Sequence, residues 1–208
     1  MKEIIKNSLI LCIITLVSGV LLGAVYEGTK KPRAEQEEKT KQEAYKKVFE
    51  EADRFEELEY DEAALKTYLK ENGYPEHMVY IQGAVSAMDS SGTDIGYVIT
   101  VTDKEGYGGE ITFTFGIRKD GTINGISFLT LNETAGVGMK ADTAGFKGQF
   151  TGKKADSFSY VKNGKQADNE IDAISGATVT TNAVTNGVNA GILCYRFLSG
   201  EIGGRTDE

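Results

Sequence analysis

Histidine, cysteine and tryptophan are nearly missing from this chain: its 208 residues hold one His, two Cys and no Trp. Metal centres need several His, Cys or carboxylate ligands to converge, and an iron–sulfur cluster normally needs four cysteines. Neither can be built from this chain alone, so no metal ligand is assigned. A Ser-His-Asp or Cys-His mechanism would have to recruit His77, whose neighbours Pro75, Glu76 and Met78 carry no nucleophile signature. His77 reads as a surface-loop residue, and no catalytic residue is assigned. Cys12 lies in an apolar run and Cys194 near the opposite end, which makes a disulfide between them implausible. Cys194 reads instead as a small apolar residue on a helix. The formal net charge is −8 with no basic stripe, so nucleic acid is not an expected partner. Any redox work by this chain would need an organic cofactor.

Charge is also missing from Ser8 to Tyr26. That run meets the roughly 18-to-20-residue requirement for a membrane-spanning helix. A cleaved signal peptide is the rival, but the run is long for an h-region and no small-x-small site follows it. A retained anchor is therefore expected over residues 1–28. Thr15, Gly19 and Gly23 recur every four residues, a spacing that suits close helix–helix approach as well as ordinary membrane-helix glycine. Lysines flank both ends of the run, so charge leaves the topology open.

Pro32 is expected at the end of the anchor region. Residues 29–75 read as a charged helical linker. Within it Ala44, Tyr45, Val48, Phe49 and Ala52 form a stripe with one face docked. Asp61 is placed to cap a second helix through Leu65, Tyr68 and Leu69, ending at Asn72-Gly73. From about Val79 the pattern turns strand-like, with candidates at 83–88, 96–102, 110–117 and 122–131. The third is clearest: Ile111, Phe113, Phe115 and Ile117 alternate with Thr112, Thr114 and Gly116. Turns at 103–106 and 119–121 predict antiparallel neighbours, with the apolar face covered by helices from both ends of the chain. The fold class expected is α+β, an antiparallel sheet flanked by helices and preceded by one transmembrane helix.

Two glycine-bearing stretches stand out. One is Asn132-Glu133-Thr134-Ala135-Gly136-Val137-Gly138, at the end of the fourth strand, where the glycines permit a tight turn. The other is Asp172-Ala173-Ile174-Ser175-Gly176-Ala177-Thr178, followed by a helical run to about Phe197 that Thr181 or Asn182 is expected to cap. A helix start offers unpaired N–H groups and a positive dipole end, which suits a phosphate. Within that helix Ala183, Gly187 and Gly191 form a small row beside Val184, Val188 and Ile192, predicting tight packing on the sheet.

Asp-x-x-Ser-Gly-Ala-Thr at 172–178 resembles the flavinylation motif of the FMN-binding domain family, which the G subunit of the Rnf complex shares with the C subunit of the sodium-pumping NADH:quinone reductase. The single anchor, Gly106-Tyr107-Gly108-Gly109 before a strand, and Glu133-Thr134-x-Gly136-x-Gly138 agree with it. The sequence departs from the family pattern at Leu131, where many members have His, and at Ala135 and Val137, where Pro and Leu are common.

The resemblance implies one FMN per chain, joined through a phosphoester to Thr178 by a flavin transferase using FAD. It further implies that Ser175, Gly176 and Ala177 shape the turn, that Asp172 is part of the recognised signal, and that Glu133, Thr134, Gly136 and Gly138 line the flavin. Residues 76–208 would be the FMN-binding domain. The implied protein is a single-pass subunit of the bacterial cell membrane with its flavin domain on the extracytoplasmic side. It would serve in a complex that couples ferredoxin/NAD electron transfer to Na⁺ or H⁺ translocation. Partners would be the other membrane and redox subunits, one bearing another covalent FMN. The alternatives are a flavoprotein like the C subunit of the quinone reductase and, from a different class, a cofactor-free membrane-tethered binding module.

Overall fold

The computed structural model describes residues 1–200, so residues 201–208 of the expected FMN-binding domain lie outside the described residues. The chain divides into two compact units between Gln42 and Glu43. The first is most of helix α1, which runs Lys2–Val48. Its apolar side chains are exposed throughout, Leu22 by 71% for example, and α1 is long and apolar enough to cross a membrane. The Thr15 hydroxyl donates to the Leu11 and Cys12 carbonyls, so this polar group is satisfied within its own helix.

Pro32, expected at the end of the anchor region, lies inside α1 and does not interrupt the helix. Proline removes one bond, to the carbonyl four residues back, and that residue is Gly28. Both residues are exposed, so water can satisfy the freed carbonyl. Pairs at i,i+4 carry the helix onward, Arg33 with Glu37 at 2.9 Å and Gln42 with Glu38 at 2.8 Å.

The second unit begins inside the last two turns of α1 and is organised around a five-stranded antiparallel sheet. Its elements are β1 (Arg54–Glu57), α2 (Glu62–Glu71), β2 (Val79–Met88), β3 (Asp94–Asp103), β4 (Ile111–Arg118) and β5 (Ile123–Leu131), with strand order β1-β2-β3-β4-β5. The strand β1 falls in the stretch expected to be helical linker, and it pairs with β2 from Arg54–Met88 to Glu57–Val85. Four residues that are mostly exposed carry too little alternation to read as a strand, and the β2 edge selects it. As expected, α2 is capped by the Asp61 carboxylate, which accepts from Ala63 N and Ala64 N, and Gly73 follows its end at φ +92°.

After β5 come a 3-10 turn (Gly138–Asp142), a single helical turn α3 (Ala144–Lys147), and a parallel strand pair, β6 (Ser159–Val161) with β7 (Glu170–Asp172). The chain closes on α4 (Thr178–Leu198). This helix starts earlier than expected: Ala177 is the N-cap, and Thr181 N already donates to its carbonyl.

Helices from the two ends of the chain cover opposite faces of the sheet. On one face α4 lies over Ile111, Phe113, Phe115 and Ile117, all essentially inaccessible. Its small row makes that approach possible. A Cβ on Gly187 would stand 2.7 Å from Phe113 Cζ, and one on Gly191 would overlap the Phe115 ring. The other face holds Val85, Ala87 and Val98 under Tyr45, Val48, Phe49 and Ala52. There Gly96 and Gly116 leave the space that the Phe49 ring fills. Cys194 is buried in the α4 layer, as its reading as a small apolar residue required.

Candidate functional site

Three tight turns meet at one end of the sheet. The first joins β3 to β4, with Gly109 N donating to Gly106 O at 3.3 Å. The second leaves β5, with Val137 N donating to Thr134 O at 3.1 Å. The third precedes α4, with Ala177 N donating to Ile174 O at 2.9 Å. In the second and third the residue before the closing donor is a glycine in the left-handed region, Gly136 at φ +74° and Gly176 at φ +79°. A side chain there would strain the turn, which explains both glycines.

Between the turns lies an open cavity of about 480 Å³. That is in the range of small-molecule sites. Its walls are Tyr107 from the first turn, Glu133, Thr134, Val137 and Gly138 from the second, and residues 176–180 from the third turn and the start of α4. The walls are in mutual contact: a Cβ on Gly176 would lie 3.6 Å from Val137 Cγ1, and one on Gly138 2.9 Å from Thr180 Oγ1.

The first turn of α4 presents three threonines. Thr181 is fully buried, its hydroxyl donating to Ala177 O at 2.9 Å and accepting from Ile174 N at 3.0 Å. It is therefore a structural clamp on the turn. Thr180 lines the cavity but is 1% exposed, against Gly138. Thr178 lines the cavity and is half-buried, the least buried of the three residues. No side chain caps the helix at Ala177, so its first-turn N–H groups and dipole face the cavity end.

Of the residues singled out from sequence, Thr178, Ala177, Gly176, Glu133, Thr134 and Gly138 line this cavity together. Gly136 shapes the second turn without lining it. Ser175 is exposed, at the corner of the third turn. Asp172 stands apart on β7. Its carboxylate accepts from Lys165 N at 2.8 Å, while the Gln149 side chain holds its backbone N (2.8 Å) and O (3.2 Å). Tyr107, Val137, Val179 and Thr180 are lining residues that sequence reasoning did not assign to the site. The signal for Tyr107 was present as an aromatic flanked by glycines in Gly106-Tyr107-Gly108-Gly109.

The residues fit a phosphorylated ligand with hydrogen-bond donors. A phosphate suits the uncapped helix start. Glu133 supplies the complementary group: Oε1 accepts from Gly108 N at 3.4 Å, while Oε2 is buried at the cavity wall with no partner among the described residues. An ionised carboxylate only accepts, so Oε2 calls for an N–H or O–H donor and not for the phosphate itself. FMN carries both kinds of donor, ribityl hydroxyls and a ring N–H, beside its phosphate.

Two family models match the chain, the RnfG N-terminal region over residues 1–48 and the FMN-binding domain over residues 106–192. The G subunit of the Clostridium ljungdahlii proton-translocating ferredoxin:NAD(+) oxidoreductase complex is 32% identical over 189 residues, covering 91% of this chain and 88% of that one. The chain belongs to the G-subunit family of ion-translocating oxidoreductase complexes. The corresponding G subunit of Methanosarcina acetivorans is 31% identical over 92% of this chain and 94% of its own. The G subunit of the Acetobacterium woodii Na(+)-translocating complex is 44% identical, and that match spans about half of each chain, 53% and 54%. Among solved structures, the C subunit of the Parabacteroides distasonis Na(+)-translocating NADH-quinone reductase superposes with a TM-score of 0.47 at 20% identity, over 76% of this chain and 79% of that one. The FMN-binding match begins at Gly106, so it takes in all three turns of the cavity and the first turn of α4.

Proposed function

We propose that this chain is an electron-transfer flavoprotein subunit of a membrane ion-translocating oxidoreductase, with one FMN esterified to Thr178. The observation that carries the attachment is the contrast among the threonines of α4: Thr178 opens onto the cavity at an uncapped helix start while Thr181 is locked by two hydrogen bonds. In this reading residues 1–28 anchor the chain, 29–75 connect, and 76–208 hold the flavin. A single membrane pass through α1 agrees with the length and composition of that helix.

Loading is the work of a separate flavin transferase. The Thr178 hydroxyl displaces AMP from FAD at the FMN-side phosphorus, losing its proton, and the product is the threonyl FMN ester. The bound flavin supplies acceptance and release of one or two electrons. This chain's own part would be to hold and orient it: the α4 N–H groups would bind its phosphate, Glu133 would accept from a donor on the ribityl chain or ring, and the ester would keep the group at a high effective concentration in an open pocket. No acid or base of the chain is required. Asp172 holds the strand that leads into the motif, as part of the shape a transferase recognises. The flavin unit lies on the extracytoplasmic side, and the partners are the other membrane and redox subunits. Relatives bear both Na(+)- and proton-translocating names, so the coupling ion is Na⁺ or H⁺.

The test is the intact mass of protein from its native host. It should exceed the sequence mass by one FMN less water. Thr178→Val should abolish both that increment and in-gel flavin fluorescence while leaving the fold, since Val keeps the shape without the hydroxyl. Thr180→Val should retain both. Covalent fluorescence surviving in the Thr178→Val protein would overturn the assignment, and an unmodified native mass would favour the cofactor-free module. Labelling of a Ser91→Cys variant by a membrane-impermeant maleimide in intact cells tests the side.

A further inference from the structure

Outside α1, the exposed large hydrophobic side chains among the described residues are Tyr107 (75%), Val179 (48%) and Met139 (39%). Two of the three lie on one cavity. Tyr107 and Val179 line the cavity, and Met139 directly follows its wall residue Gly138. Exposed apolar side chains scattered singly need no explanation, but two lining one pocket, with a third next to it in sequence, do.

Tyr107 is the most exposed, and its backbone is held firmly. A Cβ on Gly106 would overlap Gly109 O and lie 2.7 Å from Ile111 Cγ1. One on Gly108 would overlap Asn132 O. Gly109 takes φ +116°, and Gly108 N reaches Glu133 Oε1 at 3.4 Å. The turn is thus pressed onto the end of β5, with small residues on both sides of the tyrosine, and the ring stands out over the cavity. That ring has no aromatic neighbour among the described residues. A rigid perch that spends its one large side chain on solvent contributes nothing to the core. It suits an aromatic platform waiting for a flat ring.

The geometry points to Tyr107 as the residue that stacks on the isoalloxazine ring of the flavin and screens that ring from water. This inference rests on attachment at Thr178, which puts the phosphate at the α4 end of the cavity and leaves the apolar rim for the ring. Val179 adds a second apolar side chain to that rim. A phenol ring over the flavin favours the electron-poor oxidised form, so Tyr107 also lowers the flavin's midpoint potential.

The test compares FMN-loaded full-length wild type with Tyr107→Ala and Tyr107→Phe, each checked by intact mass and read per bound flavin. A stacked phenol quenches an excited flavin by giving it one electron that then returns. The chain has no tryptophan to do the same. Tyr107→Ala should raise flavin fluorescence severalfold, increase its quenching by iodide and raise its midpoint potential. Tyr107→Phe should raise fluorescence while keeping the wild-type rate constant for iodide quenching (the quenching slope divided by the excited-state lifetime), because the cover remains and the electron donor is gone. A Tyr107→Ala protein with full FMN mass and wild-type values for all three would overturn this inference alone. A wild type without the FMN increment would overturn the attachment and this inference with it.

Discussion

Thr178, Thr180 and Thr181 share one hydroxyl chemistry and one helical turn, yet their surroundings divide the work. Thr181 spends both hydrogen-bonding directions on the turn before α4, and Thr180 is walled in by Gly138. Only Thr178 combines access with the helix start. Two carboxylates near this end of the sheet carry the buried side-chain oxygens without a partner among the described residues, Glu133 Oε2 and Asp103 Oδ2. For Glu133 the flavin reading supplies the missing donor. Glu133→Gln keeps an acceptor and removes a negative charge, so the midpoint potential of bound flavin should rise, by on the order of 1 kcal/mol of interaction energy; redox titration reads it. Asp103 differs, because burial raises its carboxyl from the ordinary 3.8 to about 7, with the charge of Glu105 adding to the effect and a backbone bond from Glu105 opposing it. A group whose folded pKa is raised binds protons more tightly in the native state, so its stability contribution is full below about pH 4 and is lost as pH climbs to about 7. Asp103→Asn should flatten that decline and stabilise the protein above pH 7 by about 1–3 kcal/mol, the cost of an unsatisfied buried group. Denaturant melts across pH check it.

At the scale of elements, the small row of α4 sets its depth on the sheet. Gly191→Ala would drive a methyl into the Phe115 ring, and the overpacking should cost about 1–3 kcal/mol. Gly83 of β2 meets nothing within 4 Å, so Gly83→Ala is the control that should leave the melting temperature unchanged or slightly higher. The strands and α2 were readable because alternation and capping are local: Phe113 and Phe115 face one way by the strand period, and Asp61 caps from two and three residues away. The strand β1 was not readable, since a short exposed segment becomes a strand only when β2 offers it an edge. The start of α4 moved for a similar reason. Thr181 has the composition of a cap, but it is drawn inside the helix by its bonds to Ile174 and Ala177.

For the molecule as a whole, the stripe at residues 44–52 belongs to the folded unit even though its helix begins at Lys2. Removing residues 1–42 should therefore give a soluble protein with an intact sheet. Removing residues 1–52 should strip Tyr45, Val48 and Phe49 from Val85, Ala87 and Val98. Loss of the Phe49 ring alone is worth about 3–5 kcal/mol, so the shorter protein should melt far lower or fail to fold. Thermal melts of the two truncations make the comparison. Full-length protein should resist salt extraction from membranes and require detergent, as a span near Ser8–Tyr26 demands.

Local pattern was enough for the apolar N-terminal helix, the antiparallel strands and the tight turns at Gly136 and Gly176, because length, alternation and turn chemistry act over a few residues. Folding then brought residues 107, 133–138 and 176–180 around one cavity, assigned Asp172 to a strand instead of the pocket wall, and stood Tyr107 over the opening. Those outcomes depend on which strand ends and turns meet in space, and contacts between segments so far apart in sequence leave no periodicity for the chain to display.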